Sequence, residues 1–101
     1  MRTDAKTDTN QTTIMSCFRK AGCAVQSVAT VGKGCPDLIV AFGGNTTLVE
    51  VKDGAKVPSA RKLTADQVKW HAKWPAKVWI VANEMDVADV VMWLRSRQEV
   101  K

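Results

Sequence analysis

The sequence predicts an α/β domain, a mixed sheet flanked by helices, with its elements in the order α-β-β-β-α-β-α. Three observations predict it. Helical periodicity at both ends of the chain frames segments rich in Val, Ile and Trp that read as strands. Three of those segments follow one another over short links, the pattern of an antiparallel meander. The fourth comes after an intervening helix, the pattern of a crossover to a parallel strand. At 101 residues the chain is one domain, large enough for a single core.

Residues 1–9 are polar and threonine-rich and read as a loose tail ahead of a single domain over 10–101. A helix is expected over 10–21. There Ile14, Met15, Phe18 and Ala21 make an apolar stripe, Arg19 and Lys20 suit the last turn, and Gly22 follows it. A first strand is expected over 23–31. Lys33-Gly34 then leads into a hairpin of 36–42 and 46–52. Gly43-Gly44 suits a two-residue turn, which needs positive φ. Residues 53–61 carry Gly, Pro and Ser and read as a loop. A second helix is expected over 65–74, opened by Thr64 with Gln67 at the capping-box spacing and ended by Pro75. Leu63, Gln67, Trp70 and Trp74 fall near one of its faces. A strand over 77–82 and a helix over 85–96 complete the order. Val87, Val90, Val91 and Leu94 stripe that helix, and Asp86, Arg95 and Arg97 sit where the helix dipole favours their signs.

Composition narrows the function classes. The chain is 46% hydrophobic, as a folded protein is, yet no apolar run approaches the roughly 18 residues of a membrane span. Its first residues lack the apolar core of a signal peptide, so no membrane association is expected. Three cysteines at 17, 23 and 35 have no metal-ligand spacing and suit a reduced, cytoplasmic protein. A net charge of +5 favours a polyanionic partner.

The stretch 34–52 concentrates the chemistry. With the Gly-Gly turn, Phe42 opposes Asn45, which sets Asp37 opposite Glu50 and Cys35 opposite Lys52. Strand alternation turns Glu50 and Lys52 to one face. Two carboxylates and an ammonium then meet at the open end of the hairpin. Taken singly, each of these residues is more often a plain solvent-facing strand residue. Together they supply hard oxygen ligands of the kind magnesium or manganese prefers, and a cation to offset extra phosphate charge.

Gly-x-Pro-Asp, a strand, a short turn and Glu-x-Lys resemble the signature of the PD-(D/E)xK nucleases. Leu63-Thr-x-x-Gln67 at the next helix resembles the virus-type replication-repair nuclease (VRR-NUC) branch, in its small stand-alone, phage-type form. The resemblance covers about residues 10–95. It implies a restriction-endonuclease-like αβββαβ core with a C-terminal helix. It implies Asp37 and Glu50 as metal ligands with the Val51 carbonyl, Lys52 as the catalytic lysine, and Gln67 as an orienting residue. It further implies magnesium or manganese and a DNA substrate, and points to a homodimer; the expected substrate is branched DNA (Holliday junction or flap), with no small-molecule cofactor. The chain departs from the family at the first helix, which usually carries an acid. No Asp or Glu lies between Asp8 and Asp37, leaving Gln11 or Asp8 for that place.

Other residues have plainer readings beside the functional ones. Gln67 is either the orienting residue or a capping-box partner of Thr64, two roles expected to exclude each other. His71 is expected to be structural or on the surface, the cysteines to be small core residues, and the tryptophans to pack first in the core. Lys33, Lys56, Arg61, Lys62, Lys69 and Lys73 are a phosphate track if the site is real, and otherwise a solvated face. The leading expectation is a metal-dependent DNA endonuclease. A nucleic-acid-binding module that keeps the fold without cleavage is the alternative, and a basic assembly protein the third.

Overall fold

A computed structural model describes residues 9–54 and 62–97. β1 (Ala24–Ser27), β2 (Leu38–Phe42) and β3 (Asn45–Val51) form the antiparallel meander. β4 (Val78–Val81) lies parallel to β3, so the sheet order is β1-β2-β3-β4. The hairpin register is the expected one from Phe42 opposite Asn45 to Leu38 opposite Val49. Gly43 and Gly44 both take positive φ, which the tight turn between twisted strands requires.

α1 (Thr9–Lys20) and α3 (Glu84–Ser96) cover one face of the sheet. The core forms there, with Ile14 and Phe18 from α1, Leu38, Val40, Val49 and Val81 from the sheet, and Val90 and Leu94 from α3. Burying each such side chain is worth roughly 1.5–3 kcal/mol, so this face carries most of the apolar stabilisation. α2 (Ala65–Lys73) lies over the opposite face and buries no side chain completely. Its placement therefore depends on local polar contacts more than on burial.

The first strand is shorter than expected. It ends at Ser27, and Ala29–Val31 form a 3-10 turn. The last pairing along this edge is the Val28 N–H to the Asp37 carbonyl at 2.8 Å. The next partner in register would be Pro36, which has no N–H to offer, so the ladder stops. α2 ends one residue early for a related reason. Trp74 precedes Pro75 and is extended, at φ −85° and ψ 119°.

Cys23 is in the core as expected, whereas Cys17 and Cys35 are only half-buried; all three are free thiols. None of the four tryptophans belongs to the fully buried core. Trp79 and Trp93 meet edge-to-face at its margin, Trp70 lies on α2, and Trp74 caps the C-terminal end of that helix. No helix among the described residues is long and apolar enough to cross a membrane.

Candidate active site

Asp37 enters β2 beside Glu50, but not through the regular ladder. Its N–H donates to the Val49 carbonyl at 3.0 Å, whereas a continued hairpin register would set Asp37 opposite Glu50 as a pair without backbone hydrogen bonds. The ladder thus breaks at Asp37, and the Asp37 carboxylate takes over: Oδ2 accepts the Val51 N–H at 2.8 Å. Cys35 accordingly lies in the preceding turn, with its N–H on the Gly32 carbonyl, and not in a pair with Lys52.

Glu50 is 2% exposed. Its Oε2 accepts the Gln67 amide at 2.8 Å and lies 3.7 Å from the Lys52 ammonium. Lys52 in turn donates to Gln67 Oε1 at 2.8 Å. Gln67 also completes the capping box: the Thr64 N–H reaches its Oε1 at 2.9 Å, and its own N–H reaches Thr64 Oγ1 at 3.2 Å. The expectation that capping and orienting exclude each other is wrong. An amide oxygen has two lone pairs and the amide nitrogen two hydrogens, enough for Thr64, Lys52 and Glu50 together. The cap that starts α2 is thus what fixes Gln67 over the carboxylate.

Gly34 brings α2 close enough for this. It has φ +88°, and a Cβ there would run into the Asp66 backbone and lie 3.0 Å from the Gln67 nitrogen. Only glycine meets both demands.

Asn10 does not stand out in the sequence. Its side-chain amide donates to the Lys52 carbonyl at 2.6 Å and to the Ala82 carbonyl at 3.3 Å, tying α1 to the ends of β3 and β4. The only signal for it is a polar residue in line with Ile14 and Phe18 on the buried stripe. Gln11 is also buried and donates to Ser27 Oγ at 3.3 Å. Asp8 lies outside the described residues.

The site is electrostatically incomplete. Burial and the neighbouring Asp37 carboxylate push Glu50 up to about 8, against the opposing pull of Lys52. Glu50 Oε1 is buried without a hydrogen-bond partner. Two adjacent carboxylates with an unpartnered oxygen fit a hard divalent cation, which would offset their repulsion. Among the described residues no third His, Cys, Asp or Glu joins them in a metal-binding group. Among the described residues, a divalent ion here would have to be held by Asp37 and Glu50 with main-chain oxygen.

His71, one turn beyond Gln67, is half-buried with Nε2 unpartnered; burial and the Lys52 charge lower its pKa. Burial and the two carboxylates raise that of the Cys35 thiol. Lys33, Lys62, Lys69 and Lys73 are all exposed, Lys33 in the turn before Gly34 and the others before or along α2. Lys56 and Arg61 lie outside the described residues.

No family model and no curated protein matches the sequence. Among solved structures the chain is similar to a "VRR_NUC domain", at 26% identity and a TM-score of 0.60. The match covers 81% of this chain and 89% of that one.

Proposed function

We propose that this chain, which has the VRR-NUC fold, is a magnesium- or manganese-dependent DNA endonuclease selective for branched DNA. The observation that carries the reading is the buried Glu50 carboxylate, with an unpartnered oxygen beside Asp37 and an ammonium held at its other oxygen.

Asp37, Glu50 and the Val51 carbonyl would hold the ion. When bound, it would supply Lewis acidity toward a phosphate oxygen and toward the attacking water. Lys52, kept in place by Gln67, faces the charge that builds on the phosphate as the bond breaks. A fixed cation in a partly dry site is worth most where charge appears only in the transition state. Gln67 holds Glu50 and Lys52 in one geometry. Lys33, Lys56, Arg61, Lys62, Lys69 and Lys73 bind the backbone of the DNA arms.

The working unit is a homodimer. One such site cuts one phosphodiester at a time, whereas a four-way junction needs two cuts related by its own two-fold symmetry. Met85 and Met92, 79% and 68% exposed and two turns apart on α3, give a partner an apolar surface to cover. Three free thiols suit a reducing cytoplasm.

One observation favours a second reading, a DNA-binding module without cleavage. In its described part α1 brings Asn10 and Gln11 toward the site region and no carboxylate. The two readings separate when end-labelled linear, flap and four-way-junction DNA are incubated with magnesium, manganese or EDTA. The nuclease cuts the branched substrates only with metal; the binding module shifts them and leaves every strand intact.

A further inference from the structure

We propose that the groove between α2 and the sheet is a base-stacking subsite, which takes one unpaired nucleobase of a DNA strand whose phosphate lies at Asp37 and Glu50. The inference rests on the reading that this site acts on DNA.

The groove continues the candidate active site. Its floor includes Ile39 and Leu48. Ile39 follows Asp37 by two residues and Leu48 precedes Glu50 by two, so both share the face of the carboxylates, about 7 Å along the strands. Trp70 follows Gln67 by three residues, one turn on along α2, and Trp74, the C-terminal cap residue just past the helix, follows by seven. Floor and wall thus both run on directly from the carboxylates and from Gln67.

The shape suits a flat ring. The cavity measures about 460 Å³, a usual size for a small-ligand site. The Trp70 and Trp74 rings stack with centroids 4.7 Å apart and 24° between planes. Trp74 is 43% exposed, too open for a core residue. The pair covers one face of each indole, so a base extends the stack on the exposed indole of Trp74.

Charge selects the occupant. Lys77 lines the groove, exposed Lys73 stands next to Trp74, and Lys33 follows Val31 of the rim. No acidic side chain lines it among the described residues. A second copy of this chain seated two-fold on the groove would set lysine against lysine, whereas a nucleotide brings an apolar ring and a phosphate together. An unpaired base beside the cut is available at flaps and at the open centre of a junction, but not in continuous duplex. The groove therefore selects DNA structure, and, because every base has a π-face, it does so without regard to sequence.

The test uses a labelled oligothymidylate of about eight nucleotides and a duplex of equal length, titrated in EDTA by fluorescence anisotropy. Trp74→Ala should weaken binding of the single strand roughly 5- to 150-fold and leave the duplex unchanged, while Trp74→Phe keeps most of the affinity. A second arm needs no variant. An abasic site placed at successive positions of the oligonucleotide should weaken wild-type binding at one or two positions only. Equal losses for single strand and duplex, no loss in Trp74→Ala together with no abasic effect, or a fall from dimer to monomer mass in Trp74→Ala would each overturn the proposal. Because nothing is cleaved in EDTA, a protein that passes this test yet cuts nothing with magnesium keeps its stacking site and loses its proposed activity.

Discussion

The side-chain amide of Gln67 donates to Glu50 at 2.8 Å from the first turn of α2, while the same residue completes the cap of that helix. Helix start and site geometry are thereby one structure. Thr64→Ala should cost about 1 kcal/mol of stability, as lost N-caps do, and should disturb cleavage mainly by loosening Gln67. Gln67→Ala should cost a similar stability and lower the cleavage rate about 10- to 100-fold, the usual range for a residue that orients a site. Thermal melts and single-turnover rates measured side by side check this. Loss of stability with an unchanged rate would make Gln67 a cap only.

Lys52→Ala should lower the cleavage rate about 10²–10³-fold while leaving DNA affinity in EDTA and manganese affinity close to wild type. Its ammonium acts on charge that is absent from the bound ground state. Single-turnover kinetics with separate binding titrations check the split, and a mutant that cuts at wild-type speed contradicts the role.

Glu50 makes the metal-free protein sensitive to pH. Its folded-state pKa is raised from 4.5 to about 8, so the folded chain holds this proton more tightly than the unfolded one. The stability it contributes is full below about pH 4.5 and is lost as pH rises toward about 8. Glu50→Gln should therefore raise the Tm of the metal-free protein at about pH 9 and change it little at about pH 4. By the same linkage, manganese binding near neutral pH should release a proton and tighten as pH approaches about 8. Calorimetry in buffers of different ionisation enthalpy measures the released proton. A Tm difference equal at both pH values, with no proton release, would contradict the assignment.

The lysines before and along α2 should act on affinity and not on specificity. Replacing Lys62, Lys69 and Lys73 together by alanine should weaken binding to all duplex sequences alike. It should flatten the log–log salt dependence by roughly 0.9 for each phosphate that the variant no longer neutralises. Binding isotherms across a salt series give the slope, and an unchanged slope excludes these residues as the track.

The fold was legible where a single local rule decided it. The Gly43-Gly44 turn and strand alternation fix the hairpin register, and with it the neighbourhood of Asp37, Glu50 and Lys52. What was not legible depended on partners distant in sequence. Ala29 to Val31 read as strand by composition, yet Pro36 on the neighbouring chain segment ends the ladder just before them. The break at Asp37, where a carboxylate replaces a backbone acceptor, has no signature in a pattern of alternating residues. The two roles of Gln67 look exclusive in the sequence because spacing shows neighbours along a helix, not the sheet it faces. The tryptophans read as core because indole usually is; the short α2, with no buried side chain, leaves two of them on an open groove.

The central claim is that Asp37 and Glu50 form a metal-dependent cleavage centre. Asp37→Asn tests it most directly, because the amide oxygen still accepts the Val51 N–H while the charge is gone. The measurement is single-turnover cleavage of a labelled four-way junction in magnesium by wild type and this variant, with a melt to confirm the fold. The folded variant should bind the junction and cut it no faster than wild type does in EDTA. Cleavage by the variant at the wild-type rate would contradict the claim.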